Sequence, residues 1–164
     1  MEKLYLAGGY GFKEIDRIGI QPLIDILAKK FKLILPFAKA KKYGRELAKL
    51  ERELRSDKPS ISPAKILEKM QKINFQIGKG NEDHIRACNR IMAITDGPDQ
   101  DAGTAGECGF GYALGRRCDA YRGDFRPSGE NLACIVSLQL EYFIRASGGT
   151  FFFSFAEVKS HFGI

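Results

Sequence analysis

An α/β domain built on a parallel sheet of four or five strands is the fold this sequence predicts, and three observations predict it. Short apolar runs alternate with helical periodicities, and strand, helix, strand within the first 36 residues is the β–α–β pattern of a parallel sheet. The 164 residues suffice for one domain with a sizeable core and hardly for two. Hydrophobic residues at 44% and charged residues at 28% are ordinary globular values, which argues against a disordered or fibrous chain.

The elements follow in order. Leu4 to Ala7 is an apolar run ended by Gly8, Gly9, Tyr10 and Gly11, a strand entering a tight turn. Ile15, Ile18, Ile20, Leu23, Ile24 and Leu27 predict a helix over about 15–30. Phe31 to Leu35 is a second strand, stopped by Pro36. Leu47, Leu50 and Leu54 fall at i, i+3, i+7, and Ile66, Met70, Ile73 and Ile77 at i, i+4, i+7, i+11 after a Ser62-Pro63 start. Those are two helices, with a turn over Ser56 to Ser60. Ile91 to Thr95 is a third strand running into Asp96 to Asp101. A helix from about Thr104 to Leu114, a strand from Arg117 to Tyr121 and a helix from Asn131 to Ala146 come next. Phe151 to Phe155 is a last strand or docking segment. With no internal repeat or low-complexity linker, one domain over 1–164 is expected, with a basic helical segment at about 38–80.

Charge and cysteines narrow the function classes. The net charge of +6 is concentrated: residues 29–80 hold 15 Lys/Arg against 5 Asp/Glu, and the remainder of the chain is acidic. Lysines opposite apolar helical stripes read as a solvated face, and no aromatic series accompanies them, so nucleic acid is not an expected partner. No apolar run reaches the roughly 18 residues a membrane span needs, and no leader pattern follows Met1, so a cytoplasmic protein without a membrane partner is expected. Cys88, Cys108, Cys118 and Cys134 form no C-x-x-C pair, which predicts reduced thiols rather than disulfides or zinc.

Ligands of open parallel sheets bind beyond the carboxyl ends of the strands, and two loops there have unusual compositions. Gly8 to Phe12 fails the G-x-G-x-x-G pattern, because Glu14 stands where the third glycine belongs. It reads either as a plain tight turn with two core aromatics, or as a loop letting backbone approach a ligand flanked by Tyr10 and Phe12. The second loop packs Asp96, Asp99, Asp101 and Glu107 into twelve residues at a strand end and helix start. Thr104-x-x-Glu107 has capping-box spacing, in which Glu107 reaches back to the Thr104 N–H. Alternatively, one carboxylate is a nucleophile while its neighbours orient substrate, and the helix N-terminus favours an ionised Glu107. The Ca²⁺-loop pattern is absent, His84 and His161 lie near no serine or cysteine elbow, and Cys108 reads as core. Neither a metal nor a cofactor is expected. The glycines at 106, 109, 111 and 115 give their helix a narrow face, suited to close packing on the sheet or on a neighbouring subunit.

Taken together, YLAGGYGF (5–12), LPF (35–37) and DGxxxDxGTAxExGxxYALG (96–115), with DFR (124–126) and LQLEYFI (138–144), resemble the nucleoside 2-deoxyribosyltransferases over roughly residues 3–149. The resemblance implies a flavodoxin-like (Rossmann-like) parallel sheet flanked by helices, assembled as a homo-oligomer. It implies Glu107 as nucleophile at C1′ of a 2′-deoxynucleoside, Tyr5 as the hydroxyl hydrogen-bonding that carboxylate, and Asp101 as the residue orienting the sugar. Gly8, Tyr10, Phe12, Asp96 and Gly103 fall in the matching substrate-binding segments, and Asn81 falls near the base. Ser137 stands close to where members offer an asparagine from a neighbouring subunit to the sugar 5′-hydroxyl. Arg122 and Arg126 make a 5′-phosphate substrate an alternative. The partners implied are a deoxynucleoside or deoxynucleotide and a free nucleobase. The activity implied is 2-deoxyribosyl transfer between bases in nucleoside salvage. The alternatives are a deoxynucleotide N-glycosidase on the same scaffold and a non-catalytic nucleotide-binding module.

Overall fold

Five apolar runs pair into one parallel sheet in the computed structural model, which describes residues 1–11, 14–38, 40–98 and 101–164. In chain order the elements are β1 (Lys3–Ala7), α1 (Glu14–Ala28), β2 (Lys32–Ile34), α2 (Ala40–Leu54), α3 (Pro63–Ala87) and β3 (Arg90–Ile94). Then come α4 (Ala102–Ala113), β4 (Arg117–Tyr121), α5 (Leu138–Ala146), β5 (Phe151–Phe152) and α6 (Phe155–Phe162). The sheet order is β2-β1-β3-β4-β5, the flavodoxin-like order, in which the chain switches direction between β1 and β3. The chain divides into two compact units, Met1–Leu35 with His84–Ile164, and Pro36–Asp83.

The first unit holds the sheet. Because side chains alternate along a strand, register decides what each face buries. Tyr5, Ile91 and Cys118 stand level across β1, β3 and β4, as do Ala7, Ala93 and Ala120. These residues join Cys108, Leu140 and Ile144 in one buried cluster, the face that α4 and α5 cover. The small alanine row lets α4 lie close to the sheet. A Cβ on Gly111 would overlap Ile91 Cδ1 and lie 3.5 Å from Cys118 Sγ, while one on Gly109 would meet Phe143 of α5 at 2.9 Å. Of the expected glycine face, Gly109 and Gly111 are therefore turned inward, onto neighbouring helix and sheet, whereas Gly106 and Gly115 are exposed and a Cβ on either would meet nothing within 4 Å. Asp119 points from β4 to the other face and is fully buried. It survives there because Arg90 Nη1 at 2.8 Å, Arg117 Nε at 3.3 Å and the Thr150 N–H at 3.0 Å all donate to it. All four cysteines are buried and free.

Three expected boundaries move. The helix placed over 131–146 begins only at Leu138, because residues 131–137 form a loop that buries Cys134 and Val136 without helical periodicity. The last strand covers Phe151–Phe152 rather than 151–155, and Ser154 opens α6 by accepting the Glu157 N–H at 3.2 Å. Helix α4 starts at Ala102, two residues before Thr104.

The second unit contains α2 and most of α3. The turn between them is fixed by Glu53, whose Oε1 accepts the Ser60 N–H at 2.7 Å. Arg45, Lys49, Arg52, Lys65, Lys69 and Lys72 are exposed. Among the described residues no helix is long and apolar enough to cross a membrane.

Candidate active site

Strand β1 and helix α4 meet at one hydrogen bond. Tyr5 sits mid-strand and fully buried, so its ring must leave the sheet on the α4 side. Its hydroxyl donates to Glu107 Oε1 at 2.7 Å, a charge-assisted length, across 102 residues of sequence. Opposing influences act on the half-buried Glu107. Burial pushes its pKa up, the Tyr5 hydrogen bond pulls it down, and the nearby charge of Asp101 pushes it up; the balance is a raised value. Tyr5 is itself driven far above the phenol range, first by burial and then by the Glu107 charge. It therefore remains a proton donor at any physiological pH.

Asp101 is the N-cap of α4, and its Oδ2 accepts both the Thr104 N–H and the Thr104 hydroxyl at 2.8 Å. This overturns the capping-box reading of Glu107. The Thr104 N–H already belongs to Asp101, and Glu107, a turn further on, is bonded to Tyr5. The helix-terminus expectation is reversed as well. Glu107 is the sixth residue of α4, beyond the turn where the dipole acts, so burial prevails and favours the neutral form. A side chain on Gly103 would come within 3.0 Å of Asp101 Oδ2, so glycine there leaves the carboxylate room.

The first loop closes beside this pair. Gly8 is buried between Ile94 and Tyr10, where a Cβ would meet their side chains at 2.9 and 3.0 Å. Residues Gly9–Gly11 form a 3₁₀ turn that folds the Tyr10 ring inward, its hydroxyl donating to Leu6 O at 3.3 Å. Burial, and after it the charge of Glu107, raises the Tyr10 pKa well above the phenol range. Phe12 lies outside the described residues.

Asp96, at the exit of β3, accepts the Gly123 and Asp124 N–H groups at 2.6 and 3.1 Å. Arg126 is exposed and grips Asp124 through Nε–Oδ1 at 2.9 Å and Nη2–Oδ2 at 2.5 Å. That grip holds the Asp124 carboxyl well below the usual range. Arg122, expected beside a 5′-phosphate, is instead buried among backbone carbonyls. Ser137 is the N-cap of α5. Asn81 lies on α3 in the second unit, half-buried and in line with Ile73 and Ile77 at i+8 and i+4. Among the described residues no three His, Cys, Asp or Glu side chains converge to hold a metal ion.

A half-buried carboxylate oriented by a phenol, with a second carboxylate at the N-cap of the same helix, is suited to capturing an electron-poor carbon and releasing it again. Comparison with known proteins narrows this chemistry. The family model described as nucleoside 2-deoxyribosyltransferase matches residues 4–143. No curated protein sequence matches. Among solved structures, a conserved protein from Enterococcus faecalis V583 is 23% identical, with a TM-score of 0.65, covering 99% of this chain and 98% of that one. The 2-deoxyribosyltransferase of Leishmania mexicana is 22% identical with a TM-score of 0.63, covering 99% and 97%. The CMP N-glycosidase BcmB of Clostridium botulinum is 17% identical with a TM-score of 0.54, covering 99% and 98%. At these identities the structural likeness concerns the fold.

Proposed function

The chain belongs to the nucleoside 2-deoxyribosyltransferase family, and from that premise we propose that it transfers a 2-deoxyribosyl group between nucleobases, with Glu107 as nucleophile. The observation that carries this reading is the 2.7 Å hydrogen bond from Tyr5 to Glu107 beside Asp101. A 2-deoxy sugar lacks the electron-withdrawing 2-hydroxyl, so its oxocarbenium-like transition state is comparatively accessible. The Glu107 carboxylate captures C1′ as the bond to the first base breaks. The second base then attacks C1′ and releases the carboxylate, and two inversions retain configuration, as in retaining glycosidases. Asp101, its carboxylate fixed by Thr104, orients the sugar; Tyr10 walls the pocket.

A second base reaching the ester before water gives transfer, whereas water gives hydrolysis. BcmB, an N-glycosidase of CMP, has the same fold, so hydrolysis is the rival outcome. Chromatography of the protein incubated with deoxyinosine, with and without adenine, separates them. Deoxyadenosine formed only when adenine is present supports transfer. Hypoxanthine released at the same rate without adenine refutes transfer in favour of hydrolysis, and inertness toward deoxynucleosides and deoxynucleotides alike leaves a non-catalytic binding module.

Tyr5→Phe tests the hydrogen bond. One bond to a charged group is worth about 1.5–3 kcal/mol, which predicts a kcat lower by about ten- to hundredfold. The pH profile carries the sharper sign. Glu107 must be ionised to attack, so its raised pKa sets the acid limb of kcat/KM above the ordinary carboxylate range. Tyr5 favours the ionised form, so in Tyr5→Phe that limb moves to higher pH still. A limb that stays in place removes Tyr5 from the mechanism.

A further inference from the structure

Both donors of one threonine converge on a single oxygen of Asp101. The Thr104 N–H and the Thr104 hydroxyl each donate to Asp101 Oδ2 at 2.8 Å, and a carboxylate oxygen has about two lone-pair sites to offer. Oδ2 is therefore filled. Among the described residues nothing donates to Oδ1. Asp101 is exposed and Thr104 only 1% exposed, so the helix start holds one oxygen of an otherwise exposed carboxylate. The two bonds do different things. The Asp101 carbonyl accepts the Ala105 N–H at 3.1 Å, which ties its backbone to α4. The Thr104 N–H is an ordinary N-cap bond, and alone it leaves the carboxylate plane free to turn, because the last torsion of an aspartate is broad. The hydroxyl, on the same oxygen but from a buried, β-branched side chain with few rotamers, removes that freedom. A helix start needs only the first of these bonds. Gly103 keeps the place open, since a Cβ there would stand 3.0 Å from Oδ2. The charge of the carboxylate so held is felt at Glu107.

We propose that Thr104 is a positioning residue for Asp101: its hydroxyl fixes the plane of the carboxylate, so that Asp101 meets the substrate through Oδ1 alone, as acceptor of one sugar hydroxyl. The substrate part of this inference rests on the proposed role of Asp101 in orienting the sugar. A carboxylate only accepts, so the group it selects must carry a proton. Because the accepting oxygen points one way, it also discriminates between the two hydroxyls that a 2-deoxyribosyl group offers, at C3′ and C5′.

The test compares Thr104→Val, which keeps the shape and loses the donor, with Thr104→Ser, which keeps the donor. With deoxyinosine as substrate, kcat/KM should fall about tenfold or more in the valine variant and stay within about threefold in the serine variant. The sharper readout comes from 2′,3′-dideoxyinosine and 2′,5′-dideoxyinosine, each of which lacks one sugar hydroxyl. With the unaltered protein one of the two should react about 100-fold more slowly than deoxyinosine. That penalty should shrink to about tenfold in Thr104→Val, because the variant has already loosened the acceptor. A merely structural threonine would slow all three substrates by one factor. Equal losses in the serine and valine variants, or a hydroxyl penalty that the valine variant leaves unchanged, would overturn the proposal. Equal rates of the three substrates with the unaltered protein would overturn it too. If the unaltered protein turns over no deoxynucleoside, the functional reading falls, and crystal structures of the unaltered protein and the valine variant decide the positioning. The Asp101 carboxylate of Thr104→Val should leave its plane or split into two orientations; one that keeps its place removes the role of Thr104. Should Thr104→Val fail to fold, Gly103→Ala presses on the same oxygen and must shrink the same penalty.

Discussion

Glu107→Gln is expected to abolish turnover, by about 10⁴-fold or more, while making the protein harder to unfold at neutral pH. The first effect follows from replacing the proposed nucleophile with an amide that cannot form the ester. The second follows from the direction of the pKa. Glu107 is raised in the folded state, first by burial, so the native protein holds that proton more tightly than the unfolded chain. Its favourable contribution to stability is complete below the unfolded pKa and is lost as pH rises through the folded one. At neutral pH the ionised side chain therefore costs the native state free energy that a glutamine does not. Thermal melts at two pH values check this. The variant should melt above the unaltered protein at pH 7, and the difference should shrink as the pH falls through the folded pKa. A variant that is inactive but no more stable at pH 7 would mean the site bears its charge without cost, and retained turnover would remove Glu107 as nucleophile.

Gly149→Ala should be the most damaging single methyl group in the sheet-bearing unit. A Cβ there would overlap the Cys118 carbonyl oxygen, lie 2.6 Å from the carbon of that carbonyl and 2.9 Å from Ile144 O. These are backbone atoms of β4 and α5, which cannot rotate aside as a side chain would. Overpacking against side chains already costs about 1–3 kcal/mol, so at least about 3 kcal/mol is expected, lowering the melting temperature by roughly 6–12 °C. Gly148→Ala is the control. Nothing stands within 4 Å of that position and only its φ of 78° is unfavourable to a side chain, a penalty of about 1–2 kcal/mol. If circular dichroism melts put the two variants together, the close approach of β4 to this turn is not what Gly149 serves.

The strands and the first three helices are legible because their apolar periods are distinct: β1, β3 and β4 read as short apolar runs, and α1 to α3 repeat every three or four residues. The helix start signals are harder, and one pattern shows why. Thr104-x-x-Glu107 and Ser154-x-x-Glu157 are the same capping pattern, yet only the second opens a helix. Ser154 accepts the Glu157 N–H at 3.2 Å, and Glu157 reaches back to the Phe153 N–H at 2.8 Å. At Thr104 an aspartate three residues earlier takes the N–H first, and Tyr5 draws Glu107 away. Spacing along the chain does not reveal that Tyr5 is there, because it comes from 102 residues away through sheet register. Helix α6 is concealed for a different reason, since the run of phenylalanines before Ser154 reads as a longer strand than it is. Of the site, Tyr5, Asp101 and Glu107 are legible through the family motif; the burial of Arg122 is not, because a basic residue after a strand carries no sign of the carbonyls waiting for it.

Residues Pro36–Asp83 form an excursion between β2 and β3, which Tyr5 precedes and Glu107 follows in the sequence. In folding terms, β1 has no central neighbour until the chain has passed this excursion and delivered β3. The entropy of closing so long a connection grows only logarithmically, and doubling its length would add about 0.6 kcal/mol. Most of the closure cost is thus already met at modest lengths, and the sheet gains little from keeping the excursion short. Its length and surface charge are free to vary without altering the pairing that brings phenol and carboxylate together. Slow, non-local pairing of β1 with β3 is the corresponding kinetic penalty, and it makes assembly of the Tyr5–Glu107 pair a late event of folding.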